Sequence, residues 1–347
     1  MVPAPIELRS DNAAGAAPEL IAALAAANTG SALAYGGDAE TARLQEVVRE
    51  VFEHPEATAF PVASGTAANS LSLATLCPPW GSVLCHESAH ILVNECGATS
   101  MFGGGAVMKG VGGAHARIDP VALQRVLDTT NWGDPHHSQP SVLSFTCPSD
   151  LGTVYRPDDI AALTTIARDR GLRTHLDGAR FANAVVANEC APADLSWRAG
   201  IDMLSLGSIK NGGVSTDAIV SFDPAVNEAL TYRLKRAGHV ASKMRFQSAQ
   251  LVAHLDAGLW LRLARTSNDT MAALAEGLRS MGLEFLAEPQ ANMVFVRVGA
   301  DAVPRLAAEG LLFYDMPDGV VRFVTSFRTT EAEVAEALAR VRRALGR

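Results

Sequence analysis

The sequence predicts an α/β protein with a large domain on a mostly parallel, doubly wound sheet and a smaller C-terminal α+β domain. Three observations predict it. Between Ala57 and Phe222, short β-rich runs alternate with helical patterns, the rhythm of a parallel sheet covered by helices. After Ala218–Phe222 that rhythm stops, and long helical stretches are followed by strand-like runs and a closing helix. The length, 347 residues, is too great for one small core. Residues 1–240 are assigned to an N-terminal segment and the large domain, and 241–347 to the small one.

Pro18–Ala27 reads as a first helix, with proline at its start, where an N–H would have no helical partner. Ala39–Phe52 reads as a second, because Leu44, Val47, Val48 and Val51 share a face. The loop between them contains Tyr35-Gly36-Gly37-Asp38. Strand Ala57–Ala63 leads into helix Thr66–Leu76, and strand Ser82–Cys85 into a short helix near Ala89–Glu95. Ala106–Lys109 reads as a strand and Pro120–Leu127 as a helix. Asp128–Pro140 is polar, with prolines and paired histidines, and reads as a loop. Strand Ser141–Thr146, helix Pro157–Arg170 and strands Leu172–Leu176 and Met203–Leu206 follow. Helices are expected over Asn227–Arg236 and Met244–Arg265, and strands over Leu283–Phe285, Met293–Arg297 and Val320–Val324. In the closing helix, Thr330–Leu345, Thr330 followed by Glu333 is a capping box.

The formal net charge of −8 argues against a nucleic-acid-binding surface, which needs clustered Lys and Arg. The five cysteines, Cys77, Cys85, Cys96, Cys147 and Cys190, are widely spaced with no C-x-x-C, so reduced thiols in a cytoplasmic protein are expected, and neither a disulfide framework nor a metal site. The run Ala16–Ala27 is interrupted by Pro18 and Glu19 and is too short to span a bilayer. No secretory or membrane segment is expected.

The most informative stretch is Arg173-Thr174-His175-Leu176-Asp177-Gly178-Ala179-Arg180. Asp177 and Lys210, 210 − 177 = 33 positions apart, fall at the ends of consecutive strands, where ligands of doubly wound sheets gather. An acid and a lysine so placed suit pyridoxal phosphate: the acid keeps the pyridine nitrogen protonated and the lysine amine forms a Schiff base with the aldehyde. Asp177 alone also reads as a helix N-cap. Lys210, among glycine, serine and asparagine, also reads as a solvated loop lysine, although small apolar neighbours would desolvate it and favour the neutral amine. Ser64-Gly65-Thr66 opens a helix after a strand, either a phosphate cradle or a plain turn. His90 is either a residue that stacks on a flat ring or a structural histidine. Arg180 and Arg322 each suit a carboxylate, from a substrate or from the protein itself. His136 and His137 lack a third ligand at metal-site spacing.

These motifs in order resemble, nearly end to end, the low-specificity L-threonine aldolases, within the fold-type I, aspartate-aminotransferase-like pyridoxal-phosphate enzymes. His175-Leu176-Asp177-Gly178-Ala179-Arg180 resembles the family's most recognisable motif, and Ser64-Gly65-Thr66-Ala67-Ala68-Asn69 its phosphate turn. Ser10-Asp11-Asn12 resembles the segment whose serine contacts the substrate carboxylate, and Val321-Arg322-Phe323 the second carboxylate-binding arginine. Tyr35-Gly36-Gly37-Asp38 resembles a loop that reaches a neighbouring subunit's site, and Met244-Arg245 a motif whose arginine approaches the phosphate from the adjacent subunit. Two departures stand out. Asn94 replaces an aromatic residue near the aldehyde side, and Lys210 precedes Asn211-Gly212-Gly213 and not the commoner Lys-Gly-Leu.

The resemblance implies retro-aldol cleavage of L-threonine, L-allo-threonine and related β-hydroxy-α-amino acids to glycine and an aldehyde. It implies Lys210 and His90 as catalytic residues, His90 being the base for the β-hydroxyl. Gly65, Thr66, His90, Asp177, Arg180, Lys210 and Arg245 would hold the cofactor. Ser10, Tyr35, Asn94, Arg180 and Arg322 would hold the substrate. A homotetramer, a dimer of dimers with shared sites, is implied. The rival readings are another pyridoxal-phosphate lyase or aminotransferase, and a non-catalytic binding protein of the same fold.

Overall fold

A computed structural model describes residues 4–346; residues 1–3 and 347 lie outside the described residues. The chain begins with a short strand, β1 (Ile6–Glu7), and two helices, α1 (Pro18–Ala27) and α2 (Ala39–Val51). Strands and helices then alternate: β2 (Thr58–Val62), α3 (Gly65–Leu76), β3 (Gly81–His86), the short α4 (His90–Val93) and α5 (Ala98–Phe102), and β4 (Val107–Val111). After α6 (Pro120–Asp128) come β5 (Gln139–Thr146), α7 (Pro157–Arg168), β6 (Arg173–Gly178), α8 (Phe181–Asn188), β7 (Met203–Leu206) and β8 (Asp217–Ser221). The seven strands from β2 to β8 form one sheet in the order β2-β8-β7-β6-β5-β3-β4. All neighbours are parallel except β8, which runs antiparallel to both β7 and β2.

Side-chain alternation along the strands explains the two covering layers. Leu143, Phe145, Leu176, Leu204 and Val220 point into one core, where Phe52, Phe181 and Trp260 pack; ring centroids there lie 6.0 Å and 6.1 Å apart. Val83, Val142, Met203 and Ile219 point into the other, against Leu71 and Leu73 of α3. A polar residue interrupts the pattern in the middle strand. The ring of His175 bridges Ser144 Oγ on β5 and Ser205 Oγ on β7, each at 2.9 Å. Burial drives its pKa down to about 4, so the ring is a neutral clamp across three strands.

Three helices follow: α9 (Asn227–Arg236), α10 (Arg245–Leu255) and α11 (Leu259–Ser280). Then come β9 (Glu284–Phe285), β10 (Met293–Arg297), α12 (Val303–Ala308), β11 (Leu311–Leu312), β12 (Tyr314–Met316), β13 (Val320–Val324) and α13 (Glu331–Leu345). The antiparallel sheet β12-β13-β10-β9 packs through Val294, Val296 and Phe323 on Met271 and Leu274 of α11 and Val334 of α13. β1 pairs with β11, which ties the N-terminal segment to this sheet's neighbourhood. Thr330 and Glu333 close the expected capping box.

Several elements differ from the sequence reading: β1, α5, α12, β11 and β12 were not expected, α11 runs past Arg265 to Ser280, and three further differences have a clear physical reason. The helix expected over Met244–Arg265 is broken at Asp256–Gly258, where Ala257 and Gly258 take φ of 49° and 68°. Apolar periodicity continues across that break, so it hides the glycine stop. Strand β6 runs past Leu176 to Gly178, because the ladder pairs Asp177 with both Thr146 and Ser205. Asp177 is therefore a strand residue and not a helix N-cap. Helix α8 follows almost at once, unforeseen because Gly178-Ala179 hides its start.

Gly207 marks where β6 and β7 end together. Its N–H donates to the Gly178 carbonyl at 3.0 Å, and a Cβ there would lie 2.2 Å from the Ala179 carbonyl oxygen. Gly207→Ala is expected to lower stability by about 1–3 kcal/mol, read as a lower urea midpoint at unchanged slope. An unaltered midpoint would show that the two turns can separate freely.

Candidate active site

The carboxyl ends of β5, β6 and β7 and the start of α3 open on a cavity of about 880 Å³, a size typical of small-molecule sites. Lys210 lies in a single 3₁₀ turn, Ile209–Asn211, just past β7. Asp217 on β8 holds that turn by accepting from the Ser208 and Ile209 N–H groups at 2.7 Å and 3.0 Å. The Asn211 amide donates to the Trp260 carbonyl at 2.8 Å. Burial, and then the Arg180 charge, lower the lysine pKa; Asp11, Asp177 and Asp217 oppose them without reversing the shift. The turn thus presents an amine biased toward its neutral, nucleophilic form.

Asp177 is buried, and each carboxylate oxygen has a fixed donor. Oδ1 accepts from the Ala179 N–H at 3.1 Å, and Oδ2 from Asn69 Nδ2 at 3.0 Å. The same Asn69 nitrogen donates to Glu95 Oε1 at 2.9 Å, which also accepts from His90 Nδ1 at 2.9 Å. An acid, an amide, a second acid and an imidazole therefore form one chain along the cavity wall. The hydrogen bond that His90 donates to Glu95 is the main reason its pKa is raised, against the effect of burial.

At the start of α3, Ser64 Oγ accepts from the Ala67 N–H at 3.2 Å. The Gly65 and Thr66 N–H groups precede the first intrahelical bond and border the cavity, so they suit an anion. At the opposite side, Arg180 donates through Nε and Nη2 to Asp11 at 2.6 Å and 3.0 Å. Asn292 Nδ2 also donates to Asp11, at 3.0 Å. Arg322 lies over the Tyr314 ring at 4.6 Å, donates from Nη2 to the Arg9 carbonyl, and keeps a buried Nε with no partner among the described residues. Two guanidinium groups facing one Asp11 leave this corner cationic, suited to a carboxylate.

The fold therefore brings Ser10, Gly65, Thr66, His90, Asn94, Asp177, Arg180, Lys210 and Arg322 to one cavity. Tyr35 and Arg245 do not line it. Tyr35 is exposed with the Lys235 ammonium 4.7 Å from its ring centre, and Arg245 donates to the Thr29 and Gly30 carbonyls. Asp11, Asn69, Glu95, Asp150 and Asp217 also shape the site and were not singled out from the sequence. Asp11 and Asn69 stand inside quoted motifs, but their partners are 169 and 108 residues away. The residues present fit pyridoxal phosphate: a desolvated amine, a strand-end acid, free N–H groups for a phosphate and an unpartnered guanidinium N–H for a substrate.

Residues 7–301 match the family model of the beta-eliminating lyases. The chain is 38% identical to the low-specificity L-threonine aldolase of a Pseudomonas species, over 97% of each chain. It is 38% identical to that of Pseudomonas aeruginosa, over 98% of each. Among solved structures, the threonine aldolase of Leishmania major superposes with a TM-score of 0.91 at 23% identity, over 97% of this chain and 98% of that one, a likeness of fold.

The Asp11–Arg180 pair also carries stability. Burial alone would raise the Asp11 pKa, but the charge and hydrogen bonds of Arg180, together with the Lys210 charge and the Asn292 hydrogen bond, outweigh it and hold the carboxyl below the ordinary 3.8. A depressed native value stabilises fully above the unfolded value and is lost as pH falls through the native one. Asp11→Ala, which strands the arginine, is expected to cost about 3 kcal/mol at neutral pH. The gap between wild type and variant in urea unfolding should stay constant near neutrality and shrink below pH 3.8.

Proposed function

The chain belongs to the beta-eliminating lyase family, and we propose that it is a pyridoxal-phosphate lyase that cleaves L-threonine, L-allo-threonine and related β-hydroxy-α-amino acids to glycine and an aldehyde. The observation that carries this reading is the pairing of a desolvated Lys210 with Asp177 in one cavity, at the ends of adjacent strands. Pyridoxal phosphate, when bound, supplies an electron sink for the pair left on Cα as a bond to it breaks. Lys210 would hold its aldehyde carbon, Asp177 its ring nitrogen, His90 a face of its ring, and Gly65 and Thr66 its phosphate.

Ser10, Arg180 and Arg322 hold the substrate carboxylate in this reading. A carboxylate clamp fixes rotation about the Cα–N bond, and so fixes which Cα substituent is aligned for cleavage. Alignment of Cβ favours carbon–carbon cleavage over loss of the α-proton. Asn94, short and polar, borders the cavity and would lie toward the substrate's side chain, leaving room for varied aldehydes. The protein acts as a homotetramer in which Tyr35 and Arg245 serve a neighbouring subunit's site; their position outside their own chain's cavity supports this. A cytoplasmic location is supported by its five free thiols.

Product analysis tests the reading. Incubation with L-threonine should yield glycine and acetaldehyde in equal amounts. Formation of 2-oxobutyrate without glycine would instead identify an eliminating enzyme. Lys210→Ala should lose both the cofactor's visible absorbance band and all cleavage, while a wild-type protein that gains no such band on addition of pyridoxal phosphate would sink the reading.

A further inference from the structure

We propose that Asp150, and not His90, is the catalytic base that takes the proton from the substrate's β-hydroxyl. This rests on the aldolase reading above and names the residue that completes it. Asp150 follows β5 in a turn braced on several sides. Ser149 exchanges a 2.8 Å hydroxyl hydrogen bond with Thr153 and donates to the His115 carbonyl at 3.2 Å. The Ser149 N–H reaches the Thr153 carbonyl at 2.7 Å, and the Gly152 N–H closes on the Ser149 carbonyl at 2.9 Å. The turn therefore presents Asp150 to the cavity on a fixed backbone.

The carboxylates around the cavity differ in how their oxygens are used. Asp11 is tied to Arg180 and Asn292, Asp177 to Asn69 and Ala179, Glu95 to Asn69 and His90, and Asp217 to Ser208 and Ile209. Glu87 is exposed. Asp150 is half-buried, and its Oδ2 has no hydrogen-bond partner among the described residues. No described donor stabilises either oxygen as the anion, so this carboxylate keeps its proton affinity, and the half-buried side chain borders the cavity where a hydroxyl would lie.

His90 is the poorer acceptor. Its Nδ1 is committed to Glu95, and that bond favours the protonated ring over the neutral one that a base requires. For Asp150, burial and then the nearby Asp177 push the carboxyl up to about 6, against the pull of His90, Arg180 and Lys210. Arg322 on β13 and Cys85 on β3 also feel its charge, and Glu87 and His115 share the cavity wall. A base with that affinity is ionised at neutral pH yet binds a proton far better than a free aspartate.

The step balances. The β-O–H bond breaks and its proton goes to Asp150. The O–H electron pair becomes the second C–O bond of the aldehyde, and the Cα–Cβ pair stays on Cα. Cα then takes up one proton as glycine forms, which matches the one removed.

The test compares wild type, Asp150→Asn and His90→Asn as holoenzymes over a pH series. In wild type, kcat/KM for threonine cleavage should rise with pH through an apparent pKa of about 6. In Asp150→Asn that limb should vanish and kcat/KM fall by about 10²–10⁴-fold, while the cofactor band and the affinity for glycine, which has no β-hydroxyl, stay unchanged. A second readout needs no turnover: with ¹³C-labelled aspartate carboxyls, one resonance should titrate near 6 in wild type and be missing in Asp150→Asn. Cleavage by Asp150→Asn within about threefold of wild type, or the same acidic limb in that variant, would overturn the proposal and leave the aldolase reading standing. A wild type that releases no aldehyde from threonine would overturn the aldolase reading itself.

Discussion

Everything at this site depends on how closely two strand ends approach. β6 and β7 pair in parallel register up to Gly178 and Leu206, and the next turns touch backbone to backbone through Gly207 and Ala179. That contact brings the Asp177 carboxylate and the Lys210 turn to one cavity. Parallel strands carry their carboxyl ends to the same edge, so groups far apart in sequence converge there without a dedicated loop. The neutral His175 clamp, one residue before Leu176, holds three strands in this register with hydroxyls and not charges. A charged group at that depth would require a partner that the core does not offer.

The cavity resolves its electrostatics by pairing some charges and leaving others free. Asp11 neutralises much of Arg180, while Arg322 keeps a buried N–H unpaired among the described residues. Asp11 thereby fixes the Arg180 guanidinium at the cavity wall, and Arg322 offers a free N–H among the described residues in the same corner. Desolvation acts in opposite senses on the groups that lack partners. It lowers Lys210 toward the neutral amine and raises the Asp150 carboxyl, so each group shifts toward its uncharged form. The Asn69–Glu95–His90 chain has the reverse effect, spending lone pairs to hold an imidazole in place.

Much of this was legible from residue order. Strand–helix alternation marked the large sheet, because burial on both faces demands apolar runs at regular spacing. Pro18, Thr330 and Glu333 marked helix starts, because caps are local chemistry. Nine of the site residues expected from the motifs line one cavity. The break at Ala257–Gly258 was not legible, because the apolar period runs through it. The helix after Arg180 was hidden by the glycine and alanine before it.

The sequence by itself determined the fold class, the family resemblance and the identity of the acid and lysine, since these rest on local patterns and short motifs. Only the tertiary structure decided which charges are spent. Asp11 and Arg180, and Asn69 and Asp177, meet across 169 and 108 residues, and no local pattern encodes such contacts. Asp150 stood in no motif and became visible only as a buried carboxyl oxygen without a donor among the described residues. Burial and hydrogen bonding set proton affinity, and both belong to the packed chain and not to its order.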